Sequence, residues 1–278
     1  MYSLIVATVD RVAELERLLA SLAAQTCQDF EVIVIDQNSD DRLAPVLSRF
    51  PGLRITRLYS ERGLSRARNV GLRSATGDII AIPDDDCWYS PQLLSTVKDW
   101  FDAHPEFDVL LGIMRNAEGK PMVPRFAPQA GACDRHNVWQ CAVSNGLFMR
   151  RSVTEAVGFF NESIGVGAPT DFQSSEETEY CLRALACGFH IFYDSAIWVF
   201  HSDVNSSEWL STRAYSYALG VGYVMRKQGF SWWYISGRLF RSFAAGILSL
   251  CKGDMARANA SVLRGVGQVR GYLAGGSN

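Results

Sequence analysis

The segment Thr76-Gly-Asp-Ile-Ile-Ala-Ile-Pro-Asp-Asp-Asp-Cys-Trp88 contains an apolar run, Asp78–Ile82, that stops at three consecutive carboxylates, Asp84, Asp85 and Asp86. Such a run is what a buried parallel strand looks like in sequence. Adjacent carboxylates repel one another, so a fold that gathers three of them at the mouth of a buried strand calls for a cation. Hard oxygen ligands suit Mg²⁺ or Mn²⁺, and these ions in turn bind phosphates. A substrate carrying a nucleoside diphosphate is therefore the first hypothesis. The competing reading is a solvated acidic turn.

Outward from this segment, strand and helix alternate through the first hundred or so residues. Leu4–Val9 is a short apolar run, and Val12, Leu15, Leu18, Leu19 and Leu22 recur at helical spacing. Glu31–Asp36 (EVIVID) is β-branched and ends in a carboxylate. A helix is expected over Asp41–Phe50, a strand over Arg54–Leu58, a helix over Gly63–Ala75 with Ser65 as a cap candidate, and a helix over Pro91–Ala103. Repeated units of this kind predict an α/β fold: a parallel sheet with right-handed crossovers and helices on both faces. Ligands of such sheets bind beyond the carboxyl ends of the strands. Asp10, Asp36 and Asp84–Asp86 all fall on that rim. Five carboxylates on one rim favour the cation over the solvated turn.

From about residue 105 the alternation weakens. Strands are expected at Asp108–Met114 and Gly146–Arg150, with a loop-rich stretch, Gly119–Arg135, between them. A helix over Ser175–Cys187 stops at Gly188, and His190–Asp194 and Ile197–Phe200 read as two short strands. Residues 206–273 read as mostly helical. The expected domains are thus 1–205, with halves 1–103 and 104–205, and a helical region, 206–278.

Hydrophobic residues make up 48% of the 278 and charged residues 20%, which excludes a disordered chain. A net charge of −2 gives no sign of a nucleic-acid partner. The seven cysteines are odd in number and form no CxxC pair, so free thiols in a reducing compartment are expected. No secretory signal opens the chain. Arg238 and Arg241 interrupt the apolar stretch Phe230–Cys251, leaving less than the ~20 apolar residues a spanning helix needs. Two readings stand for Trp232, Trp233 and Tyr234 beside Arg238, Arg241 and Lys252: the core of a helical cap, or contact with an anionic membrane surface. The expected location is cytoplasmic, at the inner face of the cell membrane in the second case.

Six stretches occur in a telling order: VATVDR (6–11), EVIVIDQNSDD (31–41), GLSRARNVGL (63–72), TGDIIAIPDDDCW (76–88), SNGLFMRRS (144–152) and SEETEYCLRALACGF (175–189). Together they resemble the inverting nucleotide-sugar glycosyltransferases of family 2, over roughly residues 3–203. The resemblance implies a Rossmann-like GT-A fold with a mostly parallel central sheet, followed here by a C-terminal helical appendage. It implies a nucleotide-diphosphate sugar as donor, a divalent metal (Mg²⁺ or Mn²⁺) as cofactor, and a glycan or lipid-linked glycan as acceptor. By the same resemblance Thr8, Arg11 and Asp36 hold the base and ribose, Asp10 either joins them or helps to cap the segment that follows it, and Arg68 lies near the nucleotide. Arg66 either joins it or is solvated. The Asp-x-Asp motif makes Asp86 the direct metal ligand, with Asp84 at the metal or ribose and Asp85 toward the sugar. His201 is either a further ligand or structural. Asn145 and Gly146 frame the sugar pocket, and Trp88 either stacks on a sugar or packs beneath its loop.

The resemblance also implies a general base opening the Ser175–Cys187 helix. The family's usual Glu-Asp pair is Glu176–Glu177 here, so Glu177 is the position-matched base, with Glu176 as the alternative. The change lengthens the side chain by a methylene, and glutamates at a helix N-terminus are also favoured by its dipole. A sugar-nucleotide pyrophosphorylase would need a glycine-rich basic loop where ATVDR stands. A non-catalytic binding module would have no need of the metal and base carboxylates.

Overall fold

β1 (Tyr2–Thr8) runs parallel to β2 (Phe30–Asp36) on one side and to β4 (Ile79–Ala81) on the other, and β3 (Ile55–Tyr59) extends the parallel set beyond β2. In this register Thr8 pairs with Asp36 and Asp36 with Tyr59, so these strands finish level. Val32, Val34 and Ile35 of EVIVID are fully buried, as a strand covered on both faces requires. The computed structural model describes residues 1–122, 127–202 and 207–276.

The helices between these strands follow their apolar spacing. α1 (Ala13–Ala23) buries Leu15, Leu18, Leu19 and Leu22 against the core. α2 (Ala44–Leu47) is a single turn, shorter than the expected Asp41–Phe50. Pro45 cannot sit inside a helix, so the helix begins immediately before it, and Pro51–Gly52 follows its end. In α3 (Leu64–Ser74), Gly71 lets the helix approach β1, since a Cβ there would run into Ile5. Ser65 lies within α3 and does not cap it. Its hydroxyl donates to the Ile164 carbonyl at 2.7 Å. α4 (Leu93–Ala103) completes the alternating half.

The rest of the sheet is mixed. β8 (Leu147–Arg150) lies antiparallel between β4 and β6 (Val109–Arg115), and β9 (Ile191–His201) runs parallel to β6. β5 (Cys87–Trp88) and β7 (Gly131–Cys133) add antiparallel to β9, giving the order β3-β2-β1-β4-β8-β6-β9-β5 with β7 also on β9. The two short strands expected at His190–Asp194 and Ile197–Phe200 are one. The ladder shifts register between Leu111 and Ile113, at Gly112, where a Cβ would stand 2.6 Å from the Ile197 carbonyl. A bulge therefore replaces a break. β5, β7 and α5 (Arg151–Val157), too short to show a period, were not expected.

The chain divides into two compact units. The first comprises residues 1–62, 66–160 and 180–203 and holds the sheet. The second comprises 63–65, 161–179 and 204–278. The expected boundary at 205/206 lies outside the described residues, as do 123–126 of the loop-rich stretch. The second unit also takes in Asn161–Glu179, and hence the first turn of α6 (Glu176–Ala186).

Within the second unit, α7 (Ser207–Lys227) and α9 (Met255–Ala274) meet backbone to backbone, because a Cβ on Gly271 would run into the Leu219 carbonyl. α8 (Trp232–Cys251) leaves Phe240, Ile247 and Leu248 exposed, and Trp233 is 85% exposed. Among the described residues no helix is long and apolar enough to cross a membrane.

Candidate active site

Asp84, Asp85, Asp86 and His201 all belong to the sheet-bearing unit. β4 ends at Ala81, and the chain turns at Asp85–Asp86 before β5 pairs Cys87 with His201 and Trp88 with Phe200. That pairing carries His201 to the aspartates. Asp84, Asp86 and His201 each offer a ligand atom within 4.8 Å of the others. His201 Nε2 faces Asp86 Oδ1 at 3.0 Å. His201 Nδ1 lies 2.8 Å from the Ser202 carbonyl, which can only accept, so Nδ1 carries a hydrogen and Nε2 is the atom turned toward the aspartates.

The turn sends the three carboxylates to different partners. Asp84 meets Arg68 Nη2 at 3.2 Å and accepts from the Ser144 hydroxyl. Asp85 accepts from Arg11 at 2.7 Å. Asp86 faces Arg11 at 2.5 Å as well as His201. Burial pushes the Asp84 carboxyl above its ordinary value, against the pull of Arg68. Burial likewise pushes Asp85 up, to about 6, with Arg11 opposing. For Asp86 burial works the same way, but the His201 hydrogen bond and the neighbouring positive charges outweigh it and hold the carboxyl low. At His201, burial disfavours the charged ring, yet the bond to Asp86 and its charge raise the imidazole. One carboxylate is thus held ionised, two are destabilised as anions, and the imidazole is drawn toward its cation. A divalent ion would favour the ionised forms of Asp84 and Asp86 and would take the neutral imidazole through Nε2, and the donor set of two carboxylates and one imidazole fits one.

The other expected residues spread along the same rim. Asp36 is buried and its acceptor positions are filled: Arg57 gives two hydrogen bonds, at 3.0 and 2.6 Å, and Asn38 gives its backbone and side-chain N–H at 2.8 and 2.7 Å. Asp10 adopts φ +59° and turns outward to Arg42 and Arg62 at 2.8 and 2.9 Å. Arg66 pairs with Glu61. Asn145 is 1% exposed, in a 3₁₀ turn Ser144–Gly146, and neither polar atom of its amide has a hydrogen-bond partner. Gly146 allows that turn to close on the sheet, because a Cβ there would stand 2.7 Å from the Gly112 carbonyl. Trp88 packs within the protein: Phe200 stacks on it at 5.5 Å and the Arg17 guanidinium lies 4.1 Å from its ring centre.

Several contributors were not foreseen. Arg17 donates to the Asp86 carbonyl and the Ser202 hydroxyl, Ser144 holds Asp84, and Arg57 holds Asp36. Only Ser144 carried a signal, its place beside Asn145. The arginines act from elements whose spacing says nothing of where their long side chains end.

In the second unit, Glu176, Glu177 and Glu179 open α6 after Ser175, which has φ +72°. Glu176 is buried, with a Cβ on Gly165 lying 3.1 Å from its carboxylate, and Glu179 is also buried, accepting from Gln228 at 3.5 Å. Glu177 is the more accessible of the first pair.

Residues 3–155, more than half of the 278, match the model of glycosyl transferase family 2. An uncharacterised glycosyltransferase of Bacillus subtilis (strain 168) is 23% identical over 196 residues, covering 68% of this chain and 73% of its own length. A PGL/p-HBAD biosynthesis glycosyltransferase of Mycobacterium bovis (strain BCG / Pasteur 1173P2) is 29% identical over 183 residues, 62% of this chain and 68% of its own. Among solved structures, the mannosyltransferase PcManGT from Pyrobaculum calidifontis, in complex with GDP-Man and Mn²⁺, aligns with a TM-score of 0.66 at 18% identity, covering 96% of this chain and 86% of that one. Staphylococcus aureus TarS aligns with a TM-score of 0.61 at 18% identity, covering 98% and 54%. At these identities the likeness is one of fold, and the fold is GT-A. The matched stretch takes in β2, β4 and the aspartate turn, and by it the chain belongs to glycosyl transferase family 2 and is a glycosyltransferase.

Proposed function

We propose that the protein transfers a sugar, with inversion, from a nucleoside-diphosphate sugar to an acceptor hydroxyl, and that transfer requires a divalent cation held by Asp84, Asp86 and His201. The observation that carries this reading is the convergence of those three ligand atoms at the end of β4. One imidazole among the donors suits Mn²⁺ better than Mg²⁺, which prefers a near-octahedral oxygen shell. A Mn²⁺ and a nucleotide sugar in the PcManGT complex support the same choice. Bound there, the cation would neutralise charge on the departing diphosphate.

The chain's own groups supply the rest. Arg11 and Arg68, already on the aspartates, add fixed positive charge beside the diphosphate. Thr8 and Asp36 take the nucleoside, and a base N–H displaces the Asn38 side chain to reach Asp36. Asp10 steadies the nucleoside loops through Arg42 and Arg62, while Asp85 and Asn145 line the sugar. Glu177 is the base. As the acceptor oxygen bonds to the anomeric carbon, Glu177 takes its proton, and the bond from that carbon to the diphosphate breaks with its electron pair. Burial of Glu176 supports Glu177 for this role.

The acceptor is a glycan or lipid-linked glycan, used at the inner face of the cell membrane. The exposed Trp233, Phe240, Ile247 and Leu248 of α8, with the exposed Arg241, support contact with an anionic surface. Flotation with phosphatidylglycerol liposomes tests this, and a Trp233→Glu/Phe240→Glu variant that floats as well as the parent counts against it. A panel of nucleotide sugars with Mn²⁺, followed for donor turnover with and without acceptor, tests the reaction. Glu177→Gln is expected to slow transfer by about 10²–10⁴-fold with donor affinity kept. Near-normal turnover would remove Glu177 from the base role.

A further inference from the structure

Asp86 and His201 are brought together by a very short ladder. β5 has two residues, Cys87 and Trp88, both paired with β9, and it stands at the end of the sheet order. Two pairs at an edge are little to hold two ligands in place, since even a complete two-stranded hairpin is marginal in water. The alignment is completed by hydrogen bonds just past the ladder, at Ser202.

Ser202 reaches both ligand residues. Its carbonyl lies 2.8 Å from His201 Nδ1, and its backbone N–H and hydroxyl donate to the Asp86 carbonyl at 3.3 and 3.2 Å. Arg17 closes this bridge from α1. Its Nη2 carries two hydrogens and donates to the Asp86 carbonyl at 2.8 Å and to the Ser202 hydroxyl at 2.5 Å. The same guanidinium lies 4.1 Å from the Trp88 ring centre, and Trp88 stacks on Phe200 with 10° between the ring planes. One side chain thus touches Asp86 and Trp88, which flank Cys87, and Ser202, which follows the Cys87 partner His201. It comes from a firmly seated helix, because Leu15, Leu18, Leu19 and Leu22 of α1 are fully buried around it.

We propose that Arg17 is a positioning residue of the cation site: by tying Ser202 to the Asp86 carbonyl, it sets how the His201 imidazole stands to the Asp86 carboxylate. The proposal rests on the reading of Asp84, Asp86 and His201 as cation ligands, and it adds a residue that fixes their geometry from outside. Arg17 acts through Ser202 and the Asp86 backbone. Its positive charge works in the opposite sense and repels an incoming cation. That repulsion is screened by water and salt, because the arginine is exposed. Partners that orient a metal-binding histidine typically change affinity by about 10–100-fold, so the geometric effect prevails.

The test is calorimetric titration of the full chain with Mn²⁺ and with Mg²⁺, without donor. Arg17→Met keeps a long stem and removes the guanidinium. It is expected to weaken Mn²⁺ by about 10–100-fold, and Mg²⁺ by less, because Mg²⁺ draws less on an imidazole. The metal-free protein should melt within about 5 °C of the parent. Arg17→Lys, which keeps a cation near Trp88 and a donor, should recover part of the loss. Ser202→Ala should also weaken Mn²⁺, and adding Arg17→Met to it should cost little more. Three results overturn the proposal: Mn²⁺ binding by Arg17→Met that equals or exceeds the parent's, equal losses for the two ions, or a metal-free melting temperature lowered beyond that range, which would make Arg17 a packing residue. His201→Ala tests the underlying reading separately. If that variant binds Mn²⁺ as tightly as the parent, the cation reading fails; if it loses the ion and Arg17→Met keeps it, the positioning role alone fails.

Discussion

His201 Nε2 lies 3.0 Å from Asp86 Oδ1, while the opposite ring nitrogen is fixed on the Ser202 carbonyl. A ring held in this way by its far nitrogen is the arrangement that orients a metal-binding histidine. Mn²⁺ at about 100 times its dissociation constant is expected to stabilise the protein by about 2.7 kcal/mol, a melting-temperature rise of roughly 5–10 °C for a chain of this size. His201→Ala and Asp86→Ala should each remove most of that rise in a thermal scan. A full rise in His201→Ala would exclude the imidazole as a ligand.

Arg68 is buried, and its guanidinium meets Asp84 from α3. Arg68→Met leaves that carboxylate without its cation and is expected to cost about 3–5 kcal/mol of stability, since removing one partner strands the other charge. Urea unfolding of Arg68→Met, Asp84→Asn and the double variant forms a cycle that isolates the pair. Strictly additive losses would mean that the two residues act independently.

Glu31 ties three segments together, accepting from the Ser3 hydroxyl at 2.6 Å and from the backbone and hydroxyl of Thr76 at 2.8 and 2.7 Å. Burial alone would raise its carboxyl, but the bonds from Ser3 and Thr76 outweigh it and hold the value below the ordinary 4.5. A carboxyl lowered in the folded state stabilises above its unfolded value, and that contribution is lost as the pH falls through the folded one. Glu31→Gln should therefore be less stable than the parent at pH 7, with the gap closing as the pH drops below 4.5. A gap that stays constant from pH 7 to pH 3 would refute this account.

Two glycines of the helical unit should respond in opposite directions to alanine. A Cβ on Gly271 collides with the Leu219 carbonyl, so Gly271→Ala is expected to cost about 1–3 kcal/mol by overpacking. Gly237, inside α8, has open space around it, and Gly237→Ala should gain about 0.5–1 kcal/mol of helix stability. Calorimetric melting of both checks the pair, and a harmless Gly271→Ala would mean that α7 and α9 can separate at little cost.

The parallel half of the sheet was legible because EVIVID and Asp78–Ile82 are apolar runs that end in carboxylates, and strand ends on one rim follow from topology alone. His201 was ambiguous in sequence because its place depends on β5, a two-residue strand that no periodicity reveals. The bulge that makes β9 one strand depends on a backbone contact at Gly112, invisible along the chain. Ser65 looked like a cap, yet its hydroxyl is spent on Ile164, far away in sequence. Asp36 was read correctly as a buried strand-end acid, but nothing in the spacing of ITRLY showed that Arg57 would reach it.

The unpaired amide of Asn145 has a cost of its own. Two polar atoms shut away from water without partners penalise the resting enzyme by about 1–3 kcal/mol for each group. An isosteric leucine there should melt at a higher temperature. A chain selected only to fold would make that exchange; under the role proposed for Asn145 at the sugar, the asparagine trades thermal stability for working geometry.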